Sequence, residues 1–249
     1  MVLRSLLTIT NRQIGAILSK FGYAVDRKYR RPRCTLSVVD LAIHTLLAAQ
    51  QEVVVMQIGA FDGVTSDPVG RWVGHPRFSV VLVEPQPAAF AILSQRFGHI
   101  PRTRLVEAAI TESEGRASLF IPVERVSSQV ASLSQEHVSR LLGPTTTISV
   151  RGMNVKTLLE ETATTRVDLL QIDTEGFDFK ILEQFFANGI EPLVINLESF
   201  HLCEAERNQL YVSLQSRGYT YLDHSLDTVA VKSELLQSSF SSSFMFVPS

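Results

Sequence analysis

From residue 53 onward, short runs that are apolar at successive positions alternate with segments of helical spacing. The runs are VVVMQI, SVVLVE, RLVEAA, VDLLQI and PLVINLE. Apolar character at every position, rather than every second one, marks strands covered on both faces, as in a parallel sheet flanked by helices. Between them, PQPAAFAILSQRF stops at Gly98 and FDFKILEQFFANG stops at Gly189, while Asp67-Pro68 offers a cap with proline at the first helical position. The pattern predicts an α/β doubly wound sheet. Ahead of it, residues 9–20 and 38–50 carry apolar side chains at helical spacing, for example Val39, Ala42, Ile43, Leu46 and Leu47, and predict an N-terminal helical cap over 1–52.

Residues 111–166 are too long for one simple crossover. They hold strand-like ASLFI and TTISV around SSQVASLSQEHV, which predicts an insertion over the sheet's edge. Ligand chemistry in open α/β sheets sits beyond the carboxyl ends of the strands, so SSQVASLSQEHV reads either as a lid or as a surface excursion without function. YTYLD and TVAVK close the main unit, giving a domain over 53–232. The serine-rich SSFSSS and SFMFV predict a terminal strand or tail over 233–249.

With 249 residues, 45% of them hydrophobic and 19% charged, the chain has the material for a full core. Its formal net charge of −2 offers no general field for a polyanion, so no nucleic-acid partner is expected. The basic stretch RKYRRPR at 27–33 reads either as a solvated connector or as a contact for an anionic substrate or membrane surface. Two distant cysteines, Cys34 and Cys203, give neither a disulfide framework nor a thiolate zinc site, and point to a cytoplasmic setting. No run approaches the roughly 20 apolar residues of a bilayer span, so no transmembrane segment is expected.

The first strand leads directly into GAFDG, where Gly59 and Gly63 let the backbone turn tightly and approach a ligand. The spacing is G-x-x-x-G, not the G-x-G-x-x-G of dinucleotide-binding loops, and Asp62 would repel phosphate oxygens. A cofactor carrying an ammonium or sulfonium group fits better. Glu84 ends the second strand, 25 residues after Gly59, where a carboxylate can accept from both hydroxyls of a ribose. Glu107 ends the third strand, followed by small Ala108 and Ala109, which leaves room for a flat base, unless Glu107 simply faces solvent.

The series QIGAFDGVTSDP, VEPQPAAF, VEAAI, VASLSQEHV, VDLLQIDTEGFDFKIL, PLVINLE, RGY and DTVAV, in this order over most of 53–232, resembles the FkbM-type S-adenosylmethionine-dependent methyltransferases, in particular a subgroup with an IGANDG loop. The resemblance implies the class I methyltransferase sheet, Rossmann-like, with seven mostly parallel strands and the last antiparallel. It implies O-methylation of a hydroxyl on a sugar, glycolipid or polyketide-type small molecule, with S-adenosyl-L-methionine as cofactor. Gly59, Phe61, Asp62 and Gly63 would then shape the cofactor loop, Glu84 would hold the ribose, Glu107 and Ala109 would border the adenine, and Asp173 would lie beside the methyl group. Two residues depart from the pattern: Gln57 stands where many class I enzymes have an acid, and Phe61 where the family has Asn. They keep open a degenerate, non-catalytic binding module, while the glycine spacing disfavours a nicotinamide-dependent dehydrogenase.

Methyl transfer to an aliphatic hydroxyl needs a base to take its proton or a metal to acidify it. Asp173 and Glu175 follow one strand at a spacing of two, and Glu198 and His201 follow another at a spacing of three. In one scheme His201 or Asp173 is the general base; in the other, less favoured, Asp173, Glu198 and His201 hold a divalent ion. A plainer reading has Asp173 and Glu175 cap the helix starting near Phe177. His137 draws notice only through its place in the lid segment. The N-terminal helices have two open roles, covering the site or forming a dimer interface.

Overall fold

The computed structural model describes residues 37–123 and 127–236. The helix expected over 9–20, the basic stretch 27–33 and the strand expected from SFMFV lie outside the described residues.

The expected strands form one seven-stranded sheet. In chain order its members are β1 (Val53–Ile58), β2 (Phe78–Val83), β3 (Thr103–Val106), β7 (Leu169–Ile172), β8 (Val194–Glu198), β9 (Tyr219–His224) and β10 (Asp227–Lys232). They lie in the order β3-β2-β1-β7-β8-β10-β9. β10 runs antiparallel to both neighbours and the other pairings are parallel, which is the class I methyltransferase arrangement.

The continuous apolar runs have a direct cause in the packing. Alternate residues of the central strands enter two separate cores: Val53 and Val55 of β1 pack with Val80, Leu82 and Leu169 on one face. Met56 and Ile58 pack with Val81, Val83, Leu170 and Ile172 on the other. The first face is covered by α1 (Val38–Ala49) and α2 (Pro87–Phe97) through Ile43, Leu46, Leu93 and Phe97. The second is covered by α4 (Val155–Glu161), α5 (Asp178–Ala187) and α6 (Glu204–Ser216) through Leu158, Phe185 and Leu210. Each fully buried Leu or Ile contributes about 1.5–3 kcal/mol by leaving water.

α1 begins with a capping box in which the Ser37 hydroxyl accepts from the Asp40 N–H and the Asp40 carboxylate accepts from the Ser37 N–H. Asp40 is fully buried and also pairs with Arg71 and Trp72 Nε1, which ties α1 to the loop after β1. The helix expected at Asp67-Pro68 is shorter than its signal suggested. Asp67 Oδ1 does accept from the Val69 and Gly70 N–H groups, but only one 3₁₀ turn, Gly70–Trp72, follows before Gly74 takes φ +93°.

The stretch between β3 and β7 builds a second, three-stranded sheet from β4 (Ala109–Ile110), β5 (Gly115–Pro122) and β6 (Thr145–Met153), in the order β4-β6-β5. Helix α3 (Gln135–Leu142) lies between β5 and β6, with Ser134 as its N-cap. Leu119, Ile121, Ala131 and Val150 give this unit its own small core. At the carboxyl end of the chain residues 233–236 are helical rather than extended. Among the described residues no helix is long and apolar enough to cross a membrane.

Candidate functional site

A cleft partly open to solvent lies at the carboxyl ends of β1, β2 and β7, between the main sheet and the insertion. Its place is where open α/β sheets bind ligands.

Its floor is the turn after β1. Gly59 has φ +84°, and a Cβ there would overlap the Asp173 carbonyl oxygen, so only glycine lets β1 and the end of β7 approach so closely. Phe61 lines the cleft at φ +46°, the left-handed region that Asn adopts more readily than Phe. Asp62 does not line the cleft: its carboxylate accepts from the Val64 and Thr65 N–H groups and the Thr65 hydroxyl, folding the loop. Gly63 is likewise a packing residue, since a Cβ would strike the Phe97 ring.

Glu84 is 2% exposed and lines the cleft. Its Oε2 accepts from the Phe61 N–H at 2.8 Å, and its Oε1 from the Gln86 N–H at 2.8 Å and Gln86 Nε2 at 3.1 Å. Burial pushes its carboxyl up to about 7, against the pull of those donors. Ala108, Ala109 and Ile110 form an apolar wall nearby. Glu107 is exposed and absent from the lining, because the chain turns from β3 toward β4 and leaves its side chain on the outside. It therefore stands where a solvent-facing residue would, away from any base in the cleft.

Gln57 and Gln171 sit side by side in register on β1 and β7 and line the cleft, with Asn196 next in the row on β8. Asn196 Nδ2 donates to Gln171 Oε1 at 2.7 Å and to Asp227 Oδ2 at 3.1 Å. Gln57 Oε1 is buried without a hydrogen-bond partner among the described residues. An unpaired buried carbonyl at a ligand site is an acceptor suited to an ammonium or amide N–H of the ligand.

Asp173 lines the cleft and is exposed there, with acidic side chains on several sides of it. Desolvation there, then the negative charges of Asp178, Glu175, Asp227 and Asp67, push its carboxyl up to about 8. Neither Asp173 nor Glu175 caps α5, whose N-cap Phe177 makes no side-chain cap hydrogen bond; Asp178 instead ties together the turn before it. That residue is 1% exposed and accepts from the Thr174 and Gly176 N–H groups, each at 3.0 Å. Burial raises its carboxyl to about 6.

Glu175, Glu198 and His201 lie beside the cleft rather than on its lining. The donor atoms of Asp173, Glu175 and Glu198 fall within 4.8 Å of one another, and so do those of His137, Glu175 and His201. The expected trio of Asp173, Glu198 and His201 is thus divided: both sets share Glu175, and His201 joins the set containing His137. Glu175 reaches this position with φ +56°, not in the extended chain that its spacing from Asp173 suggested. Burial, then the charges of Asp173 and Glu175, push Glu198 up to about 9, and burial pushes His201 down to about 4. Burial also raises Glu175, partly opposed by His137.

The insertion closes over this end of the sheet. Ser128 is paired to Gln86, Gln129 Nε2 donates to the Thr65 carbonyl at 2.8 Å, and the Ser132 hydroxyl donates to the Glu175 carbonyl at 2.7 Å. Gln129, Ala131 and Leu133 line the cleft.

The family model for the methyltransferase FkbM domain matches residues 57–221. Solved structures with a similar fold include the methyltransferase FkbM from Methylobacillus flagellatus KT, at 12% identity and TM-score 0.45, covering 73% of this chain and 44% of that one. Others are the N-terminal domain of human METTL16 in complex with SAH, at 10% identity and TM-score 0.43, covering 88% and 80% of the two chains, and cofactor-bound Rv0187 from MTB, at 16% identity and TM-score 0.42, covering 92% of each. No curated protein matches the chain. On the match over residues 57–221, the chain belongs to the FkbM methyltransferase domain family.

Proposed function

We propose that the protein transfers a methyl group from S-adenosyl-L-methionine to a hydroxyl of a sugar, glycolipid or polyketide-type small molecule. The observation that carries this reading is the division of labour among the cleft's three acidic side chains. Asp67 and Glu84 are held by backbone N–H groups, whereas the Asp173 carboxylate accepts no hydrogen bond among the described residues. A carboxylate that faces a cleft without a partner is free to take a proton.

The residues fit an adenosine-containing sulfonium. Glu84 has lone pairs left to accept from ribose hydroxyls, the Ala108–Ala109–Ile110 wall suits a flat base, and Gln57 Oε1 is placed to accept from an ammonium. When bound, the cofactor supplies an electrophilic methyl group with a neutral thioether as leaving group. The protein's work is then mainly alignment. Asp173 takes the acceptor hydroxyl's proton as its oxygen attacks; His201, lying off the cleft lining, is placed to orient neighbouring carboxylates rather than to meet the acceptor. The insertion over 111–166 serves as the lid and acceptor-side wall, within a catalytic unit spanning 53–232, and the reaction belongs to the cytoplasm.

The test is methyl transfer from labelled S-adenosylmethionine to a panel of hydroxylated sugars, glycolipids and polyketide alcohols, with product identified as a methyl ether. Label in an ether supports the reading. Cofactor binding without transfer to any acceptor class would favour the non-catalytic binding module.

A further inference from the structure

Four side chains from three parts of the chain meet beside Asp173, off the lining of the cleft. His137 comes from α3 of the insertion, Glu175 from the connection between β7 and α5, Glu198 from the end of β8, and His201 from the turn that follows it. His137 Nε2 and His201 Nε2 both approach the same oxygen, Glu175 Oε2, at 2.9 and 3.2 Å. His201 Nε2 also stands 3.3 Å from Glu198 Oε1. The two imidazoles do not stack: their planes are at 90° with centroids 4.2 Å apart, so that both Nε2 edges address one point.

The cluster is dry. The side chains of His137, Glu175, His201 and Glu198 are 8%, 13%, 8% and 9% exposed. Glu198 Oε2 and His201 Nδ1 are buried with no hydrogen-bond partner among the described residues. Two carboxylates and two imidazoles taken out of water, with acceptor atoms left over, make a costly arrangement unless a cation repays the desolvation.

The spacing fits such a cation. Ligands held at 2.0–2.1 Å around a tetrahedral ion stand about 3.3 Å apart; Glu175 Oε2 lies 2.9 and 3.2 Å from the two Nε2 atoms, and the donor atoms of His137, Glu175 and His201 all fall within 4.8 Å of one another. The donor set decides the kind of ion. Imidazoles suit zinc and its first-row neighbours, whereas Mg²⁺ and Ca²⁺ prefer oxygen alone.

We infer that His137, Glu175 and His201 form a binding site for one borderline divalent cation of the Zn²⁺ type, with Glu198 paired to His201 beside it. His137 is the ligand that belongs to the insertion, so the bound ion fastens α3 to the ends of β7 and β8 and fixes the wall of the cleft next to Asp173. The inference does not rest on methyl transfer, and a cation here is compatible with any ligand in the cleft.

The experiment uses the full chain without a histidine tag, freed of metal by chelation, and titrated with Zn²⁺ by calorimetry and with Co²⁺ by visible absorption. The expected result is one Zn²⁺ per chain, visible Co²⁺ ligand-field bands, a higher Tm with Zn²⁺, and no displacement by millimolar Mg²⁺. His137→Ala and His201→Ala should each weaken Zn²⁺ binding at least about 100-fold, while Asp173→Asn leaves it intact. Circular dichroism of the metal-free variants checks that they fold; should His137→Ala fail, His137→Gln takes its place. A parent chain that binds no Zn²⁺, or variants that bind it as tightly as the parent, would overturn the site and leave a protein-only ion-pair cluster. Binding of S-adenosylhomocysteine to the metal-free chain is read separately, so failure of the metal site and failure of the cofactor reading are distinguishable.

Discussion

The side-chain amide of Gln86 grips the backbone of Ser128 from both sides, Nε2 donating to its carbonyl at 3.0 Å and Oε1 accepting from its N–H at 2.8 Å. The same Nε2 donates to Glu84, so the residue assigned to the ribose and the segment over the cleft share one buried amide. Gln86→Ala removes these bonds, each worth about 0.5–1.5 kcal/mol net. The insertion should then open more often. Hydrogen exchange at Ser128 and its neighbours should accelerate and S-adenosylhomocysteine should dissociate faster; exchange rates equal to the parent's would contradict the clamp.

The turn after β1 makes a second prediction. Gly59→Ala places a side chain at φ +84° against the Asp173 carbonyl, where backbone strain alone costs about 1–3 kcal/mol. Chemical denaturation should show a loss at least that large, together with loss of cofactor binding. Phe61→Asn should fold and still bind S-adenosylhomocysteine, because the contribution of residue 61 to Glu84 is its backbone N–H. Loss of binding in Phe61→Asn would show that the ring, not the backbone, matters.

Glu84 predicts a pH dependence. Its carboxyl is raised from 4.5 to about 7 in the folded protein, so between these values the folded state holds a proton that the unfolded state has released. Its contribution to stability therefore falls as pH rises from about 4.5 to about 7 and is level above that. The Tm difference between parent and Glu84→Gln should shift against the parent across that window. Ribose hydroxyls donate to the ionised form, so S-adenosylhomocysteine should bind the parent more tightly at pH 8 than at pH 6, a trend that Glu84→Gln removes. Parallel pH trends in the two proteins would refute the assignment.

Asp173→Asn tests the base. The amide keeps the shape of the cleft but cannot accept the hydroxyl proton, so kcat should fall about 100-fold or more while affinity for S-adenosylhomocysteine changes little. A variant with parental turnover would exclude the role.

The sheet was readable because burial on both faces leaves an unbroken apolar signature, as in VVVMQI, where alternate residues enter opposite cores. Local signals failed where distant packing decides. Asp67 looks like a helix cap and makes the cap's hydrogen bonds, but the following glycines end the helix after one turn. Asp178, not Asp173, satisfies the turn before α5, a choice between neighbouring acids that spacing alone does not make. Glu107 lies one residue past the end of its strand and faces outward, because the chain leaves the sheet there. His137 carried almost no signal. Its contact with Glu175 spans 38 positions and depends on how the insertion docks.

If the cleft beside Glu84 and Asp173 holds S-adenosylmethionine, calorimetric titration of the full chain with S-adenosylhomocysteine, in parallel with Glu84→Ala, should give one site of micromolar affinity in the parent and strongly weakened binding in the variant. Absence of binding by the folded parent, or equal binding by both proteins, would contradict it.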